Sequence, residues 1–356
     1  MAIRQLSLTD FRNLRSATLD FNPHFNLISG DNGSGKTSLL EAIYVLCQAH
    51  SFRTHQLKQC INHDKNGFLL FGRFDHHKAG LAKNDKKLDI HVNGNSVKRR
   101  SELVRKTPIN IVNADSFVLI EGAPQKRRAF LDWCMFHVEP GYAESWRLFQ
   151  HALRQRNKLL KSRQDLKLLD YWDMHLIEPS IHLSTLRREY CRQLQQIVEV
   201  ELQDILTGMS LELEYRQGWA EDLCLEDAIK SNRERDIRSG FTNGGVHRDD
   251  IRFMCHGRNA SEILSRGQSK RLCLALLLAA LKLVSKSRQD RIILLIDDLH
   301  SELDATAQNV VYQQFINMGL QMFISNIDSK VPAAISEKEF KLFHVEHGII
   351  KSRNFS

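Results

Sequence analysis

No stretch of this 356-residue chain is apolar for long enough to cross a bilayer. The longest run, Leu272 to Leu281, is about half the roughly 20 residues that a spanning helix needs, and Lys282 follows it. It predicts a buried helix instead. The opening, Met1-Ala2-Ile3-Arg4-Gln5-Leu6, lacks the apolar centre of a secretory signal and predicts a cytoplasmic protein. Seven cysteines, at 47, 60, 134, 191, 224, 255 and 273, are scattered and odd in number, and none forms a C-x-x-C pair. Their spacing indicates neither a zinc site nor a disulfide framework and predicts reduced thiols. Internal repeats and low-complexity tracts are absent, and the helical stretches hold too few heptads for long coiled-coil arms. What remains is an ordinary globular composition, 42% hydrophobic and 26% charged, long enough for two domains or for one with a large insertion. Lysine and arginine number 50 against 42 acidic residues, and the net charge of +8 is compatible with an acidic polymer as partner.

The most informative segment is Gly30-Asp31-Asn32-Gly33-Ser34-Gly35-Lys36-Thr37, a match to the phosphate-loop pattern G-x-x-x-x-G-K-S/T. Phe25, Leu27 and Ile28 precede it as a short apolar strand, and Ser38-Leu39-Leu40-Glu41-Ala42-Ile43 follow as a helix start. Glycines at 30, 33 and 35 let successive N–H groups turn inward at a helix N-terminus that already favours negative charge. Residues Gly30 to Ser38 are therefore expected to bind a nucleoside triphosphate. Lys36 would reach the β- and γ-phosphates and Thr37 would hold Mg²⁺. A second element fits the first. The uninterrupted apolar run Ile292 to Ile296 predicts a buried parallel strand, and it ends in Asp297-Asp298. A carboxylate at that end predicts Asp297 as the metal ligand and Asp298 as general base for the attacking water.

The remaining pattern places strands over the first 30 residues, with a turn at Asn22-Pro23, and a hairpin-rich patch at 68–74 and 88–92. Ile109–Val112 is another short strand. From about 119 to 206 apolar residues recur at steps of three and four, as in Trp146, Phe149, Leu153 and Leu160, and in Leu183, Leu186, Tyr190, Leu194 and Ile197. Pro179 is expected in the first turn of the later helix and Gly208 at its end. Strands return at 211–215 and 251–254, a long buried helix at 268–284, and a core strand at 322–324.

Just before that buried helix stands Leu264-Ser265-Arg266-Gly267-Gln268-Ser269-Lys270, which resembles the L-S-G-G-Q signature of ABC-type ATPases. The resemblance implies that Ser265, Gly267 and Gln268 present a hydroxyl and a helix N-terminus to the γ-phosphate held by a second copy. Ser301-Glu302-Leu303-Asp304 is similar to the loop that lines the dimer interface in that superfamily. The usual switch histidine is replaced by Ser325-Asn326, where Asn326 is expected to orient water or the γ-phosphate.

Four further segments narrow the resemblance: Leu8 to Leu14, the stretch 30–44, Gly122 to Asp132, and His247-Arg248-Asp249-Asp250. Together, in unchanged order from end to end, they resemble the RecF family of SMC-like repair ATPases. Val246, Arg266 and Ser269-Lys270 depart from the family pattern without removing a group the chemistry needs. The resemblance implies an α/β, ABC-type P-loop ATPase head, a mixed sheet with an antiparallel patch, built from 1–118 and 241–356. A mainly helical lobe over 119–240 is inserted into it. It further implies ATP and Mg²⁺ as cofactors and a homodimer that closes on DNA when ATP binds. Slow hydrolysis would release the clamp. RecO and RecR are the implied partners, with indirect help to RecA.

Basic runs at Lys98-Arg99-Arg100 with Arg105 and Lys106, at Lys126-Arg127-Arg128, and at Arg154, Arg156, Lys158, Lys161 and Arg163 are candidate phosphate contacts. For Arg127 and Arg128 pairing with acidic residues is the alternative. No strand interleaves aromatics with these charges, so duplex or junction DNA is expected rather than a stacked single strand. Two rivals share the phosphate loop. A transporter subunit would carry a switch histidine and a more compact interval between loop and signature. A small-molecule kinase would lack Ser265–Gln268.

Overall fold

The computed structural model describes every residue except 202, 207, 288–291, 300, 301, 304, 328–330 and 356. The described chain divides into two compact units, Met1–Phe117 with Ser285–Ser356, and Val118–Val284.

The first unit is built on the phosphate-loop helix. Lys36–Gln48 is buried along almost its whole length, because it is covered from two sides. On one side lies a six-stranded sheet in the order Ile349–Phe355, Phe340–Glu346, Phe25–Ser29, Gln321–Asn326, Ile293–Asp297, Ile109–Val112. Its strands are parallel except for Ile349–Phe355, which returns as a hairpin on Phe340–Glu346. Ile293 to Ile296 and Met322 to Ile324 are fully buried, as continuous apolar runs in a sheet covered on both faces require. On the other side lies an antiparallel sheet in the order Ala17–Asp20, Ile3–Thr9, Gly67–Phe74, Lys78–Asn84, Leu88–Val92, Asn95–Ser96. Phe68, Leu70 and Phe74 alternate inward, and with Leu6, Ile43, Leu46, Leu81, Ile293 and Phe323 they form one core. The helix is thus clamped between sheets, with its N-terminus at the carboxyl ends of the parallel strands.

The second unit holds three long helices, Pro124–Val138, Tyr142–Ser162 and Leu169–Glu201, and a small antiparallel sheet of Arg258–Asn259, Asp250–Cys255 and Glu212–Arg216. The helix Arg266–Ser287 starts in it. Residues 241–284, grouped with the head in the sequence analysis, fall in this unit by packing.

Pro179 does not start a helix. It lies inside the continuous 33-residue helix Leu169–Glu201. Leu169, Leu176 and Leu183 are all fully buried on that helix, so the packed stripe runs through the proline. Burial of a continuous face outweighs one missing backbone hydrogen bond. Two arginines in this unit, Arg156 and Arg187, are completely buried. Arg156 is held by Asp173 at 2.5 Å and by Asp236 at 2.7 Å. Arg187 reaches Asp249 at 2.6 Å, Asp132, the Tyr142 hydroxyl at 3.1 Å and the Val246 carbonyl at 2.9 Å.

Candidate active site

The phosphate loop joins Phe25–Ser29 to the buried helix, and its backbone can take this path only with glycine at two places. Gly30 has φ +148°, and a Cβ there would lie 2.2 Å from the Val345 carbonyl oxygen. Gly35 has φ +122°, and its Cβ would meet the Leu14 side chain at 2.8 Å. Asn13 braces the loop from outside. Its side-chain amide donates to the Ser34 carbonyl at 3.3 Å, and its oxygen accepts from the Ser38 hydroxyl at 2.9 Å.

Lys36 folds back over the loop and donates to the carbonyls of Gly30 at 2.6 Å and Asp31 at 2.9 Å. Burial lowers its pKa below the ordinary lysine value, against the opposing pull of Asp297, Asp298 and Asp31. The Ser34 hydroxyl is buried without a hydrogen-bond partner among the described residues. A loop holding a buried cation and an orphaned hydroxyl matches a polyanionic ligand, since each group gains a partner when phosphate oxygens enter.

Opposite the loop, the Thr37 hydroxyl donates to the Asp297 carboxylate, 3.2 Å from Oδ1 and 3.1 Å from Oδ2. The parallel register sets Ser325 beside Asp297, and the Ser325 hydroxyl donates to Asp297 Oδ1 at 2.6 Å. Hydroxyl and carboxylate together form the hard oxygen pair that suits Mg²⁺, which needs only one or two carboxylates beside phosphate oxygens and water. Asp298 leaves the strand with φ +54°, a left-handed conformation that costs a non-glycine residue about 1–3 kcal/mol, and its N–H donates to Ser325 Oγ at 3.2 Å. Ser325 therefore supports both aspartates. Asn326 ends the same strand, buried, and it is Ser325 that reaches the cleft.

These groups open into a cleft of about 970 Å³ that also takes in Asn32, Gly33, Gly35 and Glu302. Ser301 and Asp304 of the expected interface loop lie outside the described residues. The far wall comes from Arg12 and from Phe52, Arg53, Gln59, Asn62 and His63, the last five of which carry no motif in the sequence. Glu41, fully buried one helical turn past Thr37, organises it. It accepts from Arg12 at 2.7 and 2.9 Å, from the Ser51 hydroxyl at 2.5 Å and from Arg53 at 3.4 Å. Burial pushes the Glu41 pKa up, but the bonds from Arg12 and Ser51 and the arginine charges outweigh it and leave the pKa below the usual range. A buried acid directly inside a phosphate-loop helix was the available clue, since such a charge demands cationic partners.

Ser265, Gly267 and Gln268 lie in the second unit, at the start of Arg266–Ser287. They form a capping box. The Gln268 N–H donates to Ser265 Oγ at 3.3 Å, and the Gln268 side chain accepts from the Ser265 N–H at 2.9 Å. Of the basic runs, Arg156 is withdrawn into the interior, Arg127 grips Asp250 at 2.7 and 2.8 Å, and Arg128 donates to the Asp249 carbonyl at 2.6 Å. Those three hold the fold together; Arg127 does so through an acidic partner, and Arg128 through a backbone carbonyl.

The family model for the RecF/RecN/SMC N-terminal domain matches residues 2–351. The DNA replication and repair protein RecF of Stutzerimonas stutzeri is 39% identical over 98% of this chain and 97% of its own length. That of Psychromonas ingrahamii is 35% identical over 98% of this chain and 99% of its own. Among solved structures, the recombination mediator protein RecF with ATP, from the RecFOR pathway, superposes with a TM-score of 0.89 at 25% identity, covering 99% of this chain and 97% of that one. An Smc head bound to the C-terminal winged-helix domain of ScpA shares the fold at a TM-score of 0.57 and 16% identity, covering 100% of this chain and 98% of that one.

Proposed function

The chain belongs to the RecF family of SMC-like ATPases, and from that premise we propose that it is an ATP-driven clamp of recombinational DNA repair. It is an ATPase and acts as a recombination mediator; the transporter reading is not favoured. The observation that carries the mechanism is the Thr37–Asp297–Ser325 array beside Lys36. Mg²⁺ bound by Thr37 and Asp297 would neutralise charge on the β- and γ-phosphate oxygens.

Lys36 exchanges its two loop carbonyls for phosphate oxygens as ATP enters. The loop N–H groups of residues 30–38 and the Ser34 hydroxyl complete the cradle. Asp298 accepts a proton from the attacking water. The second copy supplies Ser265. As an N-cap this hydroxyl accepts an N–H through a lone pair, so its own proton stays available to a γ-phosphate oxygen. Gly267 and Gln268 contribute the helix N-terminus, which favours the same charge. Asn326 orients the water or the γ-phosphate from the adjoining strand. Asp298 is one methylene shorter than a glutamate, so turnover is slow, below the roughly 10 s⁻¹ median of enzymes.

Gapped or duplex DNA is the substrate surface, RecR and RecO are the protein partners, and RecA loading is the outcome. The reactions belong in the cytoplasm, and no described helix is long and apolar enough to cross a membrane. Sedimentation with ATP and gapped duplex tests the switch. Lys36→Met should never dimerise, and Asp298→Asn should stay locked on DNA while its phosphate release falls by about 10²–10⁴-fold. Parent-like behaviour of both variants would refute the mechanism.

A further inference from the structure

The outer face of the antiparallel sheet in the first unit carries a feature the ATPase cycle does not use. Phe71 is 36% exposed there and Leu69 50% exposed, although Phe68, Leu70 and Phe74 on the same strand fill the core. Strand register sets Phe71 opposite Gly80, and Gly80 opposite His91. Two rings therefore stand on the strands either side of a glycine. Those outer strands are about 9.5 Å apart at the backbone. Aromatic rings pack at centroid separations of about 4.5–7 Å, so the interval admits one planar ring above the glycine. A Cβ at Gly80 would already lie 3.7 Å from the Phe71 ring and 4.0 Å from His91 Cβ. The groove measures about 550 Å³ and continues past Lys78 to Asn93 and Gly94.

Charge says what covers it. Residues 67–96, which span these strands, hold five lysines and arginines against three acids. All three acids are already paired: Asp75 with Arg4 at 2.5 Å, Asp85 with Lys58 at 3.0 Å, and Asp89 with Lys87 at 2.7 Å. Arg73 and Lys78 face each other in the row beside Phe71 and Gly80, exposed and in no ion pair among the described residues. A row of rings flanked by a row of free cations is complementary to a chain of bases on a phosphate backbone.

We propose that this face binds single-stranded nucleic acid, with a base stacked on Phe71 over Gly80 against His91 and the adjoining phosphates on Arg73 and Lys78. The proposal rests on the DNA-repair reading and gives the clamp a grip on the unpaired side of a gap. It adds a stacked single strand to the duplex or junction DNA expected from the sequence. The sequence hid it because Phe71, Gly80 and His91 are isolated along the chain and meet only through strand pairing.

Anisotropy of a fluorescein-labelled oligothymidylate and of a labelled duplex, with the full chain and ATP, tests it. Phe71→Ala and Gly80→Val should each weaken oligothymidylate binding roughly tenfold and leave duplex binding and ATP-dependent dimerisation at parent levels. The tryptophan of Phe71→Trp should be quenched as the oligonucleotide is added, a response that charge contacts alone do not produce. Unchanged oligothymidylate affinity, equal losses for strand and duplex, or no quenching would overturn it. Failure of the parent to dimerise with ATP would instead strike the clamp itself, so the two ideas fail separately.

Discussion

Glu41 does not line the cleft, but it holds Arg12 and Arg53, which do. One carboxylate, buried inside the loop helix, fixes Arg12 from the turn after the first strand and Ser51 and Arg53 from the loop after the helix. Removing it strands cations in a partly buried wall, so Glu41→Ala should cost about 3–5 kcal/mol in urea denaturation. Its pH signature has a fixed sign. The folded pKa lies below the unfolded value, so its contribution is complete above the unfolded carboxylate pKa of about 4.3 and is lost as pH falls through the folded value. The stability gap between parent and Glu41→Gln should stay level from about pH 8 to 5 and close below about pH 4. A gap that widens in acid would contradict the assignment. At this scale the loop glycines, Lys36, Thr37, Asp297 and Asp298 were legible, because local spacing alone defines a strand, a turn and a helix end. Ser325 and the partners of Glu41 were not, since parallel register and a loop more than ten residues away bring them in.

Among the elements, the long helix Leu169–Glu201 shows where period outruns punctuation. Its apolar stripe was legible, but a proline within it read as a start, and only burial on both sides of Pro179 reveals one helix. The same helix is pinned by Arg187, whose fork gathers Asp132, Asp249 and the Tyr142 hydroxyl from three other segments. Two of these segments, Gly122–Asp132 and His247–Asp250, were legible as motifs, but that a buried guanidinium joins them was not. Replacing one partner of a buried network leaves the others unpaired, so Arg187→Leu should destabilise the protein by about 3–5 kcal/mol. Arg187→Lys should recover little, because one ammonium cannot reproduce the planar fork. Thermal melts of the three proteins decide this, and parent-like stability of Arg187→Leu would show that the network is dispensable. The signature helix offers the converse case: its capping box was legible as an N-cap, while the proposed action on a second copy is a matter of assembly rather than local structure.

On the scale of the whole molecule, the phosphate loop and the signature segment lie in different packed units of one chain. In the proposed dimer, isologous pairing gives two equivalent composite sites. Arg73 and Lys78, on the antiparallel sheet, are the cations of the proposed nucleic-acid surface, and that sheet belongs to the same unit as the phosphate loop. The central claim, that two copies share each ATP site, is tested most directly by mixing two inactive variants. Lys36→Met lacks a working loop and keeps its signature; Ser265→Arg keeps its loop and lacks a signature. Each alone should neither dimerise with ATP nor hydrolyse it. Mixed in equal amounts, only mixed pairs form, each with one of its two composite sites intact, so steady-state ATP hydrolysis should return to about half of the parent rate at most. A mixture no more active than its two components would mean that each copy closes its own site, and the shared pocket would have to be abandoned.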